Sequence, residues 1–212
     1  AATAVAAKHL APERAIVAIC GCGDQARAQL RALACVRPLV RVTAIDLNAE
    51  RATRFAREMA TEFGIETTVA PGPRDAARDT NVWVTCTPAR RWFLGREHVT
   101  PGSFIAAVGA DNPEKQEIEP ALLAEDVVVA GLVEQSAAMG DLHHAIDDGV
   151  MGREDVRAEL ADIIAGTTKG RRDASEIIIF DSTGTAIQDV AAAAVVYQRA
   201  LASDAGLAFD FG

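Results

Sequence analysis

The sequence predicts an α/β fold built on a doubly wound sheet of parallel strands, and three observations predict it. Short, continuous apolar runs alternate with amphipathic helical segments along most of the chain. A glycine-rich turn joins the first of those runs to the helix that follows it. An acidic residue, Asp46, closes the second run.

Taken in order, residues 3–10 are Ala-rich and read as a short helix that stops near Pro12. Ala15–Cys20 is apolar throughout and bounded by glycine, the pattern of a strand buried on both faces. Ala26, Leu30 and Leu33 then share one helix face. Residues 40–46 read as the second strand. Asn48 is placed to cap a helix whose face carries Ala52, Phe55, Ala56, Met59 and Phe63, and Gly64 ends it. Residues 67–70 and Val82–Thr85 give strands three and four, with a short helix after Pro73 between them. Residues 104–108 and Val127–Ala130 give strands five and six. That spacing suits right-handed crossovers.

Beyond the sixth strand the character changes. Residues 134–146 are expected as one helix, 147–152 as a turn, and 177–180 as a further apolar strand. The last helix carries Ile187, Ala191, Ala194, Val195 and Leu201 on one side. The sheet already has its own helices, so this stripe is expected to pack on a second domain or a partner subunit. The chain opens Ala1-Ala2-Thr3-Ala4 without an initiator Met and is expected to be part of a longer protein.

Composition narrows the partners. The 212 residues are 50% hydrophobic and 24% charged, an ordinary globular balance, with a formal net charge of −9. That sign, with no basic cluster, argues against nucleic acid or an anionic membrane as partner. The short basic run at residues 169–172 reads as a solvated loop. Cys20, Cys22, Cys35 and Cys86 fit no zinc spacing and read as reduced core or turn thiols. With no signal peptide and no apolar run of about 18 residues, a cytoplasmic protein is expected.

The glycine turn is Gly21-x-Gly23-x-x-Ala26, and its context gives it weight: a strand before, a helix after, and an acid closing the next strand. This is the Rossmann-type arrangement for a dinucleotide. Gly21 permits the tight turn, Gly23 lets the backbone approach a pyrophosphate, and Ala26 keeps helix and sheet close. Asp24, Gln25 and their neighbours present amides at the positive end of the helix dipole. Asp46 falls 20 residues after Ala26, where a carboxylate accepts from ribose hydroxyls and repels a 2′-phosphate. NAD is therefore expected over NADP. Arg51 and Arg54 follow on the next helix and either weaken that preference or are exposed helix charges. Thr85 and Thr87 end strand four, at the edge where the cofactor crevice should lie, as cofactor contacts or as plain strand-end caps. Asp111 follows strand five; an acid there can handle the protons of amine or imine chemistry, and a turn role is the alternative.

Three separated segments resemble the ornithine cyclodeaminase/mu-crystallin family. They are Gly21-x-Gly23-x-Gln25-Ala26-x-Ala28, then Val108-Gly109-Ala110-Asp111-x-Pro113-x-Lys115-x-Glu117, then Phe180-Asp181-Ser182-Thr183-Gly184-x-Ala186-x-Gln188-Asp189. Glu114 departs from the pattern, standing where the family usually has glycine. The resemblance implies a Rossmann unit over residues 1–185. It also implies a helix over 186–212 that returns to a substrate-binding and dimerising domain built mainly upstream, in a homodimer. It implies Asp111 as the proton-handling acid, with Asp181, Ser182 and Thr183 lining the cofactor pocket or serving as a helix-capping turn. His143 and His144, after Gly140-Asp141-Leu142, are read as structural. The implied reaction is NAD-dependent cyclodeamination of a small basic amino acid, ornithine to proline and ammonia, with the hydride recycled. An amino-acid dehydrogenase or a cyclic ketimine reductase on the same scaffold, and a non-catalytic crystallin-like binder, are the alternatives. The residues that hold the substrate carboxylate are expected upstream of this chain, which on its own is expected to bind dinucleotide without turnover.

Overall fold

The computed structural model describes residues 2–207 and 209. Its elements run α1 (Ala2–Leu10), β1 (Ala15–Cys20), α2 (Asp24–Ala34), β2 (Leu39–Ile45), α3 (Ala49–Phe63), β3 (Glu66–Ala70), α4 (Pro73–Ala76), β4 (Val82–Thr85) and β5 (Arg90–Leu94). After these come β6 (Phe104–Ala107), β7 (Gln116–Ile118), α5 (Pro120–Glu125), β8 (Val127–Ala130), α6 (Val133–Met139), α7 (Asp141–Asp147), β9 (Ala158–Glu159), α8 (Leu160–Ala165), β10 (Ile178–Asp181) and α9 (Ala186–Ser203).

Eight strands form one sheet in the order β3-β2-β1-β4-β6-β10-β8-β9, and every pairing is parallel. The predicted fold class is therefore the observed one. Alternate residues of the central strands enter opposite layers, as the pleat requires. Val17, Ile19, Val82, Val84, Phe104, Ala106, Ile178 and Phe180 pack under α1, α2 and α3. Ala18, Cys20, Trp83, Ile105 and Ile179 pack under α5 and α7. Both faces are covered, which is why these strands read as unbroken apolar runs.

Helix ends follow their residues. Asn48 accepts from the Arg51 amide at the start of α3, and Gly64 closes that helix with φ +64°. Gly23 precedes α2 in extended conformation.

Two sequence expectations need correction, and one pair of strands was not read from the sequence. The segment 134–146 is two helices, because Gly140 breaks it. That residue is extended (φ −89°, ψ −174°), and a Cβ there would meet Asp181 Oδ2 at 2.5 Å. The break frees the amides of residues 141 and 142 to donate to the Asp181 carboxylate. The 169–172 run is not merely a solvated loop: the Arg171 guanidinium is partly buried and donates to carbonyls of Leu10, Ser103 and Glu176, tying α1 to the sheet. Finally, β5 and β7 form a separate two-stranded parallel sheet outside the main one. Their charged residues and short lengths hid them from periodicity.

α9 stands apart. None of its residues is buried, and Ile187, Val190, Val196, Tyr197 and Leu201 are each more than three-fifths exposed. Among the described residues no helix is long and apolar enough to cross a membrane.

Candidate functional site

The site lies at the carboxyl edge of the sheet, where the strand order reverses between β1 and β4. Such a switch point leaves a crevice between loops that run to opposite faces. Here the crevice is a cleft of about 660 Å³, bounded by the segments that follow β1, β2, β3 and β4, with Arg91 and Phe93 of β5 on its wall.

Gly21 makes the turn possible. Its φ is +90°, and a Cβ would sit 2.7 Å from the Cys86 carbonyl oxygen. Gly23 is different, since a Cβ there would meet nothing within 4 Å. Its face is open toward the cleft, and a ligand can approach the backbone there. Both glycines line the cleft. Arg27 holds the turn from behind, donating to the carbonyls of Cys22 (3.2 Å) and Gly23 (3.0 Å). It also stacks over Phe55 and pairs with Glu58. With those carbonyls engaged behind, the amide end of α2 is left for the cleft, beside a fixed positive charge.

Asp46 closes β2 and is 8% exposed at its side chain. Its Oδ2 accepts from the Cys22 amide (2.9 Å) and its Oδ1 from the Asn48 amide (2.8 Å). Each oxygen keeps a free lone-pair direction, so the carboxylate both fixes the turn and can accept from a diol. Arg51 lines the same cleft 3.8 Å from Asp46. Arg54 does not line it.

Of the other predicted residues, Ala26 is fully buried under the sheet, while Asp24 and Gln25 are exposed on the first turn of α2. Thr85 is buried at the end of β4. Thr87 lines the cleft, but its hydroxyl is engaged: it donates to Glu117 Oε1 (2.7 Å) and accepts from the Ala89 amide (3.1 Å). Asp111 sits on the loop after β6, outside the cleft lining, with its side chain 54% exposed and 2.7 Å from Lys115 Nζ. Asp181 is fully buried at the end of β10, Ser182 is buried beside it, and Thr183 is half-buried; none lines the cleft.

Periodicity and motif spacing missed a ladder of three buried carboxyl groups under this edge. Glu117 Oε1 accepts from the Thr87 amide (2.6 Å) and hydroxyl, and its Oε2 from the Gly109 amide (2.9 Å). Asp141 Oδ1 accepts from the amides of Glu117 (2.7 Å) and Ile118 (2.9 Å). Asp181 Oδ2 accepts from the Leu142 amide (2.9 Å). Asp141 Oδ2 and Asp181 Oδ1 are buried without a partner. Burial pushes the Glu117 carboxyl up, against the lowering effect of its hydrogen bonds to Thr87 and Gly109. Burial, then the nearness of Asp181 and Glu117, pushes Asp141 well above the carboxylate range. Burial raises Asp181 to about 7. In the sequence, Asp181 was named as a pocket residue, Glu117 stood inside the family motif and Asp141 beside Gly140, but nothing there joined the three.

Burial likewise pushes the thiols of Cys20 and Cys86 up and that of Cys22 to about 12, so they are poor nucleophiles at neutral pH. The four cysteines are unpaired. His143 and His144 bond to separate carbonyls, of Ala137 and Lys115. Among the described residues no group of three or more His, Cys, Asp or Glu side chains is placed to hold a metal ion.

A wholly parallel, doubly wound sheet with a glycine turn and a carboxylate at its switch point defines the class, a Rossmann-type α/β domain. Within that class, the chain belongs to the ornithine cyclodeaminase/mu-crystallin family, whose model matches residues 1–204. It is 40% identical over 212 residues to the uncharacterized cyclodeaminase y4tK of Sinorhizobium fredii, covering 99% of this chain and 64% of that one. An archaeal alanine dehydrogenase dimer with bound NAD superimposes with a TM-score of 0.93 at 40% identity, over 100% of this chain and 65% of that one. The Thermococcus litoralis Δ1-pyrroline-2-carboxylate reductase, in complex with NADH and L-proline, superimposes with a TM-score of 0.94 at 31% identity, over 98% and 65%. The chain thus spans slightly less than two thirds of the length of these relatives.

Proposed function

We propose that the full-length protein is an NAD-dependent enzyme that moves a hydride to or from the α-carbon of a small amino acid or its imine. The observation that carries this reading is the pairing of Asp46 with the Cys22 amide across an open Gly23, at the switch point of a parallel sheet. When bound, the cofactor would supply the hydride acceptor as NAD and the hydride donor as NADH.

The chain's own residues do the rest. The Gly21–Gly23 turn and the amide end of α2, with Asp24, Gln25 and Ala26, hold the pyrophosphate. Asp46 accepts from the ribose hydroxyls, and its charge disfavours a 2′-phosphate. Thr85 and Thr87 shape the edge at the far side of the turn, and Asp181, Ser182 and Thr183 support that edge from β10. Asp111, on an exposed loop and held by Lys115, takes or returns the amine proton. Residues 1–185 form the cofactor unit. The segment 186–212, of which residues 208 and 210–212 lie outside the described residues, carries α9, which joins a substrate-binding, dimerising domain of a homodimer; the exposed stripe of α9 supports that reading.

Net dehydrogenation or reduction fits the named alanine dehydrogenase and pyrroline-carboxylate reductase. Cyclodeamination, in which the hydride returns and ammonia leaves, is the second reading and is favoured by the cyclodeaminase relative. Incubating the full-length protein with ornithine and NAD while measuring proline, ammonia and NADH separates them. Proline and ammonia without NADH mark the cyclodeaminase. NADH formed from alanine, or consumed with a cyclic imine, marks the oxidoreductase. Asp111→Asn is expected to abolish turnover and spare NAD binding; an active variant removes the acid from the mechanism.

A further inference from the structure

Two loops at the carboxyl edge matter to the proposed chemistry, the one after β4 that carries Thr87 and the one after β6 that carries Asp111. Nothing in the main sheet fixes their separation beyond the strand ends, since Val108 makes the last ladder contact, to the Thr85 carbonyl. Farther along, the two segments meet where the Gln116 amide donates to the Ala89 carbonyl and Arg90 pairs with Glu114. Between those contacts and the strand ends, the Glu117 side chain bridges the loops. Glu117 Oε1 takes the amide and hydroxyl of Thr87, and Oε2 takes the amide of Gly109, two residues before Asp111. It arrives from β7, and its own amide is anchored by Asp141. A Cβ at residue 109 would collide with the Glu117 carboxylate, so the contact requires glycine there.

We propose that Glu117 is a positioning residue that sets the distance between the Thr87 loop at the cofactor cleft and the loop that carries Asp111. The proposal rests on the reading of Asp111 as the acid. Both oxygens of Glu117 are needed because each accepts an N–H from a different loop. A glutamine offers one acceptor oxygen and one donor nitrogen, so it holds one loop and repels the other. The dinucleotide cradle at Gly21, Gly23 and Asp46 borders Thr87 in the same cleft but is held by its own hydrogen bonds, Asp46 to the Cys22 amide and Arg27 to the Cys22 and Gly23 carbonyls.

The test uses the full-length protein with Glu117→Gln, Thr87→Val and Thr87→Ser. Amide hydrogen exchange reads the loops directly, NAD titration reads the cradle, and turnover is measured with L-ornithine, L-alanine and Δ1-pyrroline-2-carboxylate. Glu117→Gln is expected to speed exchange at Thr87 or Gly109 at least about tenfold. Its kcat should fall about 30- to 100-fold, with the NAD dissociation constant within about threefold. Thr87→Val should fall between it and wild type, because it loses the hydroxyl's bonds to Glu117 and to the Ala89 amide but keeps the Thr87 amide on Glu117. Thr87→Ser, which keeps the hydroxyl, should retain more activity than Thr87→Val. Unchanged exchange at both amides, a loss of melting temperature with kcat intact, or a fall in NAD affinity in step with kcat overturns the proposal. If Glu117→Gln does not fold, Thr87→Val with wild-type exchange and kcat overturns it as well. Failure of the functional reading looks different: wild type then fails to bind NAD, turns over none of the three compounds, or keeps full activity as Asp111→Asn, whatever the exchange at Gly109.

Discussion

Replacing Asp141 separates two roles that a buried acid can have. Its Oδ1 accepts from the amides of Glu117 and Ile118, and its Oδ2 lies buried without a partner. Alanine removes the acceptor and leaves two buried amides unmet, at about 1–3 kcal/mol each. Asp141→Ala is therefore expected to lose about 2–6 kcal/mol, or about 5–20 °C in melting temperature for a domain of this size. Asparagine keeps the oxygen for both amides and puts an N–H₂ group where the unpartnered Oδ2 stands, near the unpartnered Asp181 Oδ1. It mimics the protonated acid without a titrating group, so Asp141→Asn is expected within about 1 kcal/mol of wild type. The pH dependence sharpens the comparison. Asp141 and Asp181 both have folded-state values raised by burial, so the folded protein holds protons that the unfolded chain releases. Their contribution to stability is fully present below the unfolded carboxyl range; that of Asp181 is lost as pH rises through about 7, and that of Asp141 is lost as pH rises through its own raised range. Urea unfolding between pH 5 and 8 reads this window. The lowered carboxyls of Glu62, Asp173 and Glu176 change their contribution only at more acidic pH. Wild type should weaken across the window, and Asp141→Asn should weaken less. A loss in Asp141→Asn equal to that in Asp141→Ala, or an unchanged pH slope, refutes the reasoning.

Two further outcomes are expected. Gly21→Ala should cost about 1–2 kcal/mol from its positive φ alone, and more from the contact with the Cys86 carbonyl. Urea unfolding together with NAD titration checks it, and a wild-type profile in both contradicts the role given to the turn. Asp46→Ser removes the charge that repels a 2′-phosphate and leaves Arg51 at the cleft, so the NAD-to-NADP affinity ratio should fall at least about tenfold. Parallel titrations with the two dinucleotides decide it, and an unchanged ratio places cofactor choice elsewhere.

What the sequence made legible was whatever depends on local pattern. Buried parallel strands must be apolar throughout, so β1, β4 and β8 were bounded to the residue. Asn48 and Gly64 mark the ends of α3 because capping is set within a few residues. The turn at Gly21 and the acid at residue 46 were found because their spacing is fixed by one βαβ unit. What stayed hidden depends on contacts distant in sequence. Gly140 breaks a helical pattern only because Asp181, 41 residues later, needs the amides that the break releases. Glu117 looked like a motif residue with no assigned partner, because Thr87 and Gly109 lie on two other loops. Arg171 read as solvated because nothing nearby in the chain reveals the carbonyls of Leu10 and Ser103.

The position of β10 carries a consequence for biosynthesis. Among the described residues it is the last strand of this sheet in sequence, yet it lies between β6 and β8, which touch in the sheet only through it. A ribosome that has released residues up to β9 has therefore exposed a sheet with an open slot at its centre, flanked by two unpaired strand edges. The slot cannot close until residues 178–181 emerge. Parallel pairing across such sequence distances is slow, and unpaired edges invite pairing with other chains. A nascent chain stalled before Ile178 should therefore be a client for chaperones, while one that has passed Asp181 can zip the two halves of the sheet together in a single step.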